Sequence, residues 1–135
     1  MRFETQQNIE REIKAIKCFV NMFGGTYRKL HENDIDFKVF KDNKLISFVE
    51  VKGRHKCIDQ SFPLPIAARK LVKLSDKKIN PVIIWACDDG IIYSKVNLLK
   101  GIVRWGGRIK RQGSTNDQEV MLYFDRQKNM KTFIY

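Results

Sequence analysis

Apolar residues recur at helical spacing early in the chain. Ile9, Ile13, Ile16, Val20 and Phe23 fall on one stripe, widened by Phe19, which predicts a helix over residues 5–23. Thr5 or Asn8 suits its start and Gly24-Gly25 its end. The period then shortens. TYRKL (26–30), DFKVF (36–40) and LISFVEV (45–51) read as strands, the last two joined by the turn KDNK. Residues 53–64, with Pro63, read as a loop, and Pro65 as the opening of a helix that runs to about residue 78. VIIWA (82–86) is a continuous apolar run and predicts a fully buried strand. After the turn at Asp89-Gly90, IIYSKV (91–96) is a further strand. Residues 97–118 read mostly as a basic loop, EVMLYF (119–124) as a late strand, and the rest as a loose tail.

Helix, antiparallel strands, helix, buried strand and hairpin together predict an α/β sandwich, a central mixed β-sheet flanked by helices. A chain of 135 residues without repeats or linkers fits a single domain, 1–135. At this size it holds a core without metal or disulfide staples.

FVEVKGR (48–54) breaks the strand pattern. Side chains two apart share a strand face, so Ile46, Phe48, Glu50 and Lys52 line one face while Ser47, Val49 and Val51 point the other way. A core strand thus ends in a carboxylate and an ammonium. Pairing across the KDNK turn returns Asp36 to the side of Glu50, thirteen residues intervening. Asp34 is a second candidate for that position; the hairpin register decides, and the shorter connection favours Asp36. Adjacent carboxylates repel unless a cation lies between them. Oxygen ligands with room for water and phosphate suit Mg2+, with Mn2+ as the alternative, and the Val51 carbonyl is a further donor. Such an ion polarises a scissile phosphate and lowers the pKa of a bound water. Lys52 supplies positive charge for the water or the transition state. An isolated E-x-K is usually a cross-strand salt bridge; the apolar face before it and the hairpin-linked Asp set this one apart.

Charge changes the picture next. Lys and Arg number 26 against 15 Asp and Glu, a net +11, which points to a polyanion such as DNA. Arg54 and Lys56 follow the E-x-K directly and can grip neighbouring phosphates. Arg104, Arg108, Lys110 and Arg111 can hold a duplex, with Trp105 either a stacking residue or a core anchor. No apolar run reaches transmembrane length, the N-terminal residues lack a signal-peptide core, and no membrane partner is expected. Cys18, Cys57 and Cys87 are odd in number, without metal spacing, and fit buried or half-buried residues in a reducing cytoplasm. His31 and His55 are lone histidines.

D-x13-E-x-K across a hairpin, between an N-terminal helix and a following helix, resembles the PD-(D/E)XK nuclease superfamily with its restriction endonuclease-like fold. Within it the chain is most similar to Holliday junction resolvase-like and small phage-encoded nucleases, which would set it in the host cytoplasm. Ile35-Asp36 stands where the family has Pro-Asp. The resemblance implies a Mg2+-dependent DNA nuclease, structure-specific or resolvase-like. An exonuclease or flap/single-strand nuclease on the same site, and an inactive DNA-binding module, are the alternatives. Cutting two strands together would require a homodimer. The resemblance also implies a further acid on the first helix. Glu12 falls inside the apolar stripe and Glu10 outside it, so Glu12 is the better candidate, with a solvent-reaching margin position as the competing reading. A lysine from the helix after the E-x-K approaches the site in similar phage proteins; Lys70 suits that role for phosphate, with Lys73 on the same face.

Overall fold

The computed structural model describes residues 6–30, 36–76, 79–106 and 119–135. Helix α1 (Gln6–Asn21) follows the apolar stripe: Ala15, Ile16 and Val20 are buried, and Ile13, Phe19 and Phe23 pack beside them. Asn8 lies inside the helix, and Thr5 lies outside the described residues. Gly24 takes a left-handed φ of 74°, and the Gly25 N–H donates to the Val20 carbonyl at 2.9 Å, closing the helix end.

Strands β1 (Thr26–Lys29), β2 (Phe37–Lys41) and β3 (Lys44–Gly53) form an antiparallel meander. Asp42 and Asn43 both have positive φ, 51° and 64°, so the β2–β3 connection is a two-residue type I′ turn, whose twist matches the flanking strands. From β3 the chain crosses through β4 (Leu64–Ala67) and α2 (Ala68–Ser75) to β5 (Val82–Ala86), which lies parallel to β3. Strand β6 (Gly90–Lys95) returns antiparallel to β5. Strands β7 (Ile102–Gly106), β8 (Glu119–Phe124) and β9 (Lys131–Ile134) complete the order.

The described strands form two sheets. The larger is six-stranded, in the order β1-β2-β3-β5-β6-β9, and mixed; the smaller is three-stranded, β4-β8-β7. Helix α1 covers one face of the larger sheet through a core that includes Val39, Val49, Val51 and Ile84. Helix α2 and the smaller sheet cover the other face through Leu74, Leu64, Ile66 and Phe124 against Ile83, Trp85 and Ile92. The Trp85 Nε1–H donates to the Pro65 carbonyl at 3.0 Å and ties the two sheets together. The fold is therefore the expected α/β restriction endonuclease-like sandwich.

Several local expectations are corrected. Pro65 does not open a helix. It sits in β4 opposite Tyr123, and α2 begins only at Ala68, because Ile66 and Leu64 are drawn into a ladder with β8. The expected loop over 97–118 contains β7 at its start; residues 107–118 lie outside the described residues. The expected tail is β9, an edge strand on β6. Ile46 does not share a face with Phe48. The β2–β3 register shifts between Val39 and Phe40, leaving Ile46 as an extra residue in a bulge, and it packs on the α1 side while Phe48 packs on the α2 side. Cys57 is exposed, whereas Cys18 is half-buried and Cys87 buried. No helix among the described residues is long and apolar enough to cross a membrane.

VIIWA is buried at every position. Ile84, fully buried and opposite Val51, anchors β5 beneath the end of β3. Ile84→Ala is expected to lower stability by about 2–5 kcal/mol, measured as a shift of the urea midpoint with an unchanged slope.

Candidate active site

The β2–β3 ladder runs as far as Phe37 opposite Val49. Beyond it β3 continues without β2, and Asp36 fills the place of the missing strand. Its Oδ2 accepts the Val51 N–H at 2.9 Å, while its own carbonyl accepts the Leu30 N–H at 2.9 Å. The Asp36 side chain is thereby fixed at the edge of β3, adjacent to the next residue that can meet it, Glu50.

Glu50 is only 3% exposed. It stands between Phe48 and Lys52 in the strand, opposite Ile83 of β5. Burial is the main cause that raises its carboxyl pKa, to about 9 from the ordinary 4.5; the hydrogen bond with Asp36 and the Asp36 charge raise it further, and Lys70 opposes them. Lys70 reaches over from α2, its Nζ 3.4 Å from Glu50 Oε2. Two carboxyls and one ammonium from three elements thus meet at the end of β3. Lys52 follows on the same strand and is half-buried.

The paired carboxyls suit a divalent cation chemically. They are oxygen donors held together in a buried position, where a proton or a cation must offset their repulsion. Asp36 and Glu50 are the residues that would hold it. Among the described residues no group of three or more His, Cys, Asp or Glu side chains is placed to hold a metal ion together. No third acid among the described residues, then, joins this pair as a metal ligand.

Other sequence candidates are distributed differently. Glu12 does face inward, with 15% of its side chain exposed, and its Oε2 lies 3.7 Å from Lys29 Nζ of β1. Glu10 is exposed and accepts a hydrogen bond from Gln6 Nε2. Arg54 is half-buried, and its Nε and Nη2 donate to the Ser61 carbonyl at 3.0 and 2.7 Å, closing the loop after β3. Lys56 and Lys73 are exposed. Arg104 is exposed on β7 and, with Trp105, Pro63, Ile102, Tyr123 and Asp125, lines a shallow pocket on the smaller sheet. Trp105 is 66% exposed, so the stacking reading fits it better than the core anchor. Asp34, Arg108, Lys110 and Arg111 lie outside the described residues.

Sequence reasoning missed Arg11, whose guanidinium binds Asp88 at 2.8 Å and the Ala86 carbonyl at 3.3 Å, pinning α1 to the end of β5. It also missed Arg69, which pairs with Glu119 of β8 at 2.9 Å. Neither pairing has a local signal, since each joins elements far apart in the chain.

A mixed sheet with an acid before β2 and an E-x-K at the end of β3 is the arrangement of the PD-(D/E)XK nuclease superfamily. The chain belongs to the family described as "Phage putative PDDEXK endonuclease", whose model matches residues 1–132. No match was found among curated proteins or among solved structures. Membership in a nuclease family implies a DNA substrate, and nucleases of this superfamily generally use divalent metals.

The raised Glu50 pKa has a defined sign in stability. Between pH 4.5 and about 9 the folded protein keeps a proton that the unfolded chain has lost. Metal-free stability is therefore fullest below the ordinary carboxylate value and falls as pH rises through that window, by at most about 1.4 kcal/mol per pH unit. Glu50→Gln is expected to flatten this slope and to raise Tm above neutral pH, measured by thermal unfolding in EDTA.

Proposed function

We propose that residues 1–135 form one Mg2+-dependent DNA endonuclease domain that hydrolyses phosphodiester bonds. The observation that carries this reading is the pairing of Asp36 with the buried Glu50 at the end of β3, in a chain of net charge +11. Asp36 and Glu50 hold the metal, with the Val51 carbonyl as a further donor; Mn2+ is the alternative ion. When bound, the cation supplies charge that polarises the scissile phosphate and acidifies the attacking water.

The chain's own side chains do the rest. Asp36 is held by the Val51 N–H, so its carboxylate needs little reorganisation to serve as a ligand. Lys52, two residues beyond Glu50, orients the attacking water or offsets the charge that builds on the phosphate in the transition state. Lys70 contacts a nonbridging phosphate oxygen. Glu12, paired with Lys29, steadies the α1 side and adds negative charge there. Lys56, Lys73 and Arg104 are exposed and grip flanking phosphates, a role we extend from the sequence to Arg108, Lys110 and Arg111, which lie outside the described residues. Arg54 contributes mainly by holding its loop, since its donors are engaged with Ser61. Phosphate contacts of this kind position DNA without reading its sequence.

The resemblance to junction resolvases supports branched DNA as the preferred substrate and a homodimer as the cutting unit, one site per strand. The protein would act in the host cytoplasm during phage growth.

The test uses labelled linear duplex, flap and four-way junction DNA with Mg2+, comparing wild type with Glu50→Ala and Lys52→Ala. Wild type is expected to nick the junction symmetrically, and each substitution to lower the rate by on the order of 10²–10³-fold. No metal-dependent cleavage of any substrate would leave a DNA-binding module of the same fold. End-dependent products would replace the endonuclease with an exonuclease. Cleavage by Glu50→Ala at the wild-type rate would remove Glu50 from the site.

A further inference from the structure

Two consecutive basic residues open α2, and each is paired with a carboxylate from another element. Arg69 binds Glu119 of β8 at 2.9 Å, and Lys70 binds Glu50 of β3 at 3.4 Å. The first turn of this helix holds no acidic residue. Positive charge there runs against the helix dipole, whose N-terminal end is itself positive. Nothing within α2 favours a lysine at this position, so its favourable interaction is with Glu50.

Glu50 is the deeper partner. Its side chain is 5% exposed and that of Lys70 41%. A lysine on four flexible carbons, partly in solvent, can leave the pair; a carboxylate embedded in a strand cannot. The long ion pair is also a loose one, well beyond the 2.7–2.9 Å of a strong charge-assisted hydrogen bond.

We infer that Lys70 is a built-in cation that occupies the place beside the Glu50 carboxyl until metal and DNA arrive together. The inference rests on the proposed metal-binding role of Asp36 and Glu50. A divalent cation at that pair repels the Lys70 ammonium, which must withdraw. The withdrawn ammonium is then available to a DNA phosphate. Conversely, a phosphate that draws Lys70 away leaves Glu50 with one cation fewer and favours the metal. Metal and DNA therefore assist each other's binding through this one side chain, and by linkage the effect is equal in both directions. In the free protein Lys70 lowers metal affinity severalfold, which biases metal loading toward the DNA-bound state. Lys70 is in this sense a positioning and gating residue as well as a phosphate ligand.

The test reads binding, not turnover. Mg2+ is titrated calorimetrically into wild type, Lys70→Met and Lys70→Arg at pH 9, where less of a proton competes for Glu50. The pair is long and its lysine end is 41% exposed, so solvent screens it to about 1 kcal/mol; Lys70→Met is expected to bind Mg2+ about threefold to fivefold more tightly, and Lys70→Arg to stay near wild type. A second arm measures a cleavage-resistant phosphorothioate duplex by fluorescence anisotropy, with and without Mg2+. The Mg2+-induced gain in DNA affinity is expected to be smaller in Lys70→Met than in wild type. A merely structural lysine would give unchanged or weaker Mg2+ binding on substitution, and either result overturns the inference while leaving the nuclease reading intact. Wild type that binds Mg2+ no better than an Asp36→Asn/Glu50→Gln double variant would overturn both.

Discussion

The burial of the Glu50 carboxyl is the constraint on which the rest of the molecule turns. A carboxylate in the middle of a packed sheet is unfavourable by several kcal/mol unless something offsets its charge. The neighbouring elements bear on that requirement in opposite senses, Asp36 and β5 sharpening it and Lys70 relieving it. The β2–β3 hairpin brings Asp36, which is hydrogen-bonded to Glu50 and is itself held by the Val51 N–H. Helix α2 brings Lys70. Strand β5, fully buried, supplies the low-dielectric floor that makes each of these charges strongly felt. A surface E-x-K would lose most of its electrostatic interaction to water; here the same three residues sit where charge cannot be ignored.

The outline of this arrangement is legible in the chain because its determinants are local. The helical stripe of Ile13, Ile16 and Val20, the unbroken VIIWA run and the KDNK turn each predict one element, and the structure contains all three. The juxtaposition of Asp36 with Glu50 follows from the turn together with the bulge: the two-residue connection starts the ladder, and the extra Ile46 advances it by one residue, so that Phe37 meets Val49 and Asp36 comes beside Glu50. What is not legible depends on distant partners. Pro63 and Pro65 read as loop and helix start because nothing nearby shows that β8 will pair with Leu64–Ala67. Glycines and basic residues mask β7, and β9 is an exposed four-residue edge strand paired with β6. The bulge at Ile46 defeats a strict two-residue alternation, because an extra residue inverts the faces upstream of it. Among the candidate site residues, the approach of Lys70 was suggested by family resemblance, whereas its pairing with Glu50, and that of Glu12 with Lys29, are tertiary facts.

The placement of the basic residues shows the same division of labour. Arg11 and Arg54, which the +11 charge would assign to DNA, spend their donors on backbone carbonyls that close the end of the sheet. Those on the surface, Lys56, Lys73 and Arg104, remain open to solvent. Net charge alone does not distinguish the two groups; burial and carbonyl geometry do.

The type I′ turn at Asp42-Asn43 has a consequence for the order of events during folding. A hairpin with so short a connection forms on the order of microseconds, because little chain entropy is lost in closing it. Asp36 and Glu50 are joined by that hairpin. Lys70 and the β5 floor arrive only after the β4–α2 crossover has been gathered, a far longer closure. The two acids therefore meet early, in a hairpin still open to water that screens their repulsion. The lysine and the apolar wall arrive together afterwards, so the carboxyl is desolvated in the same step that delivers its counter-charge.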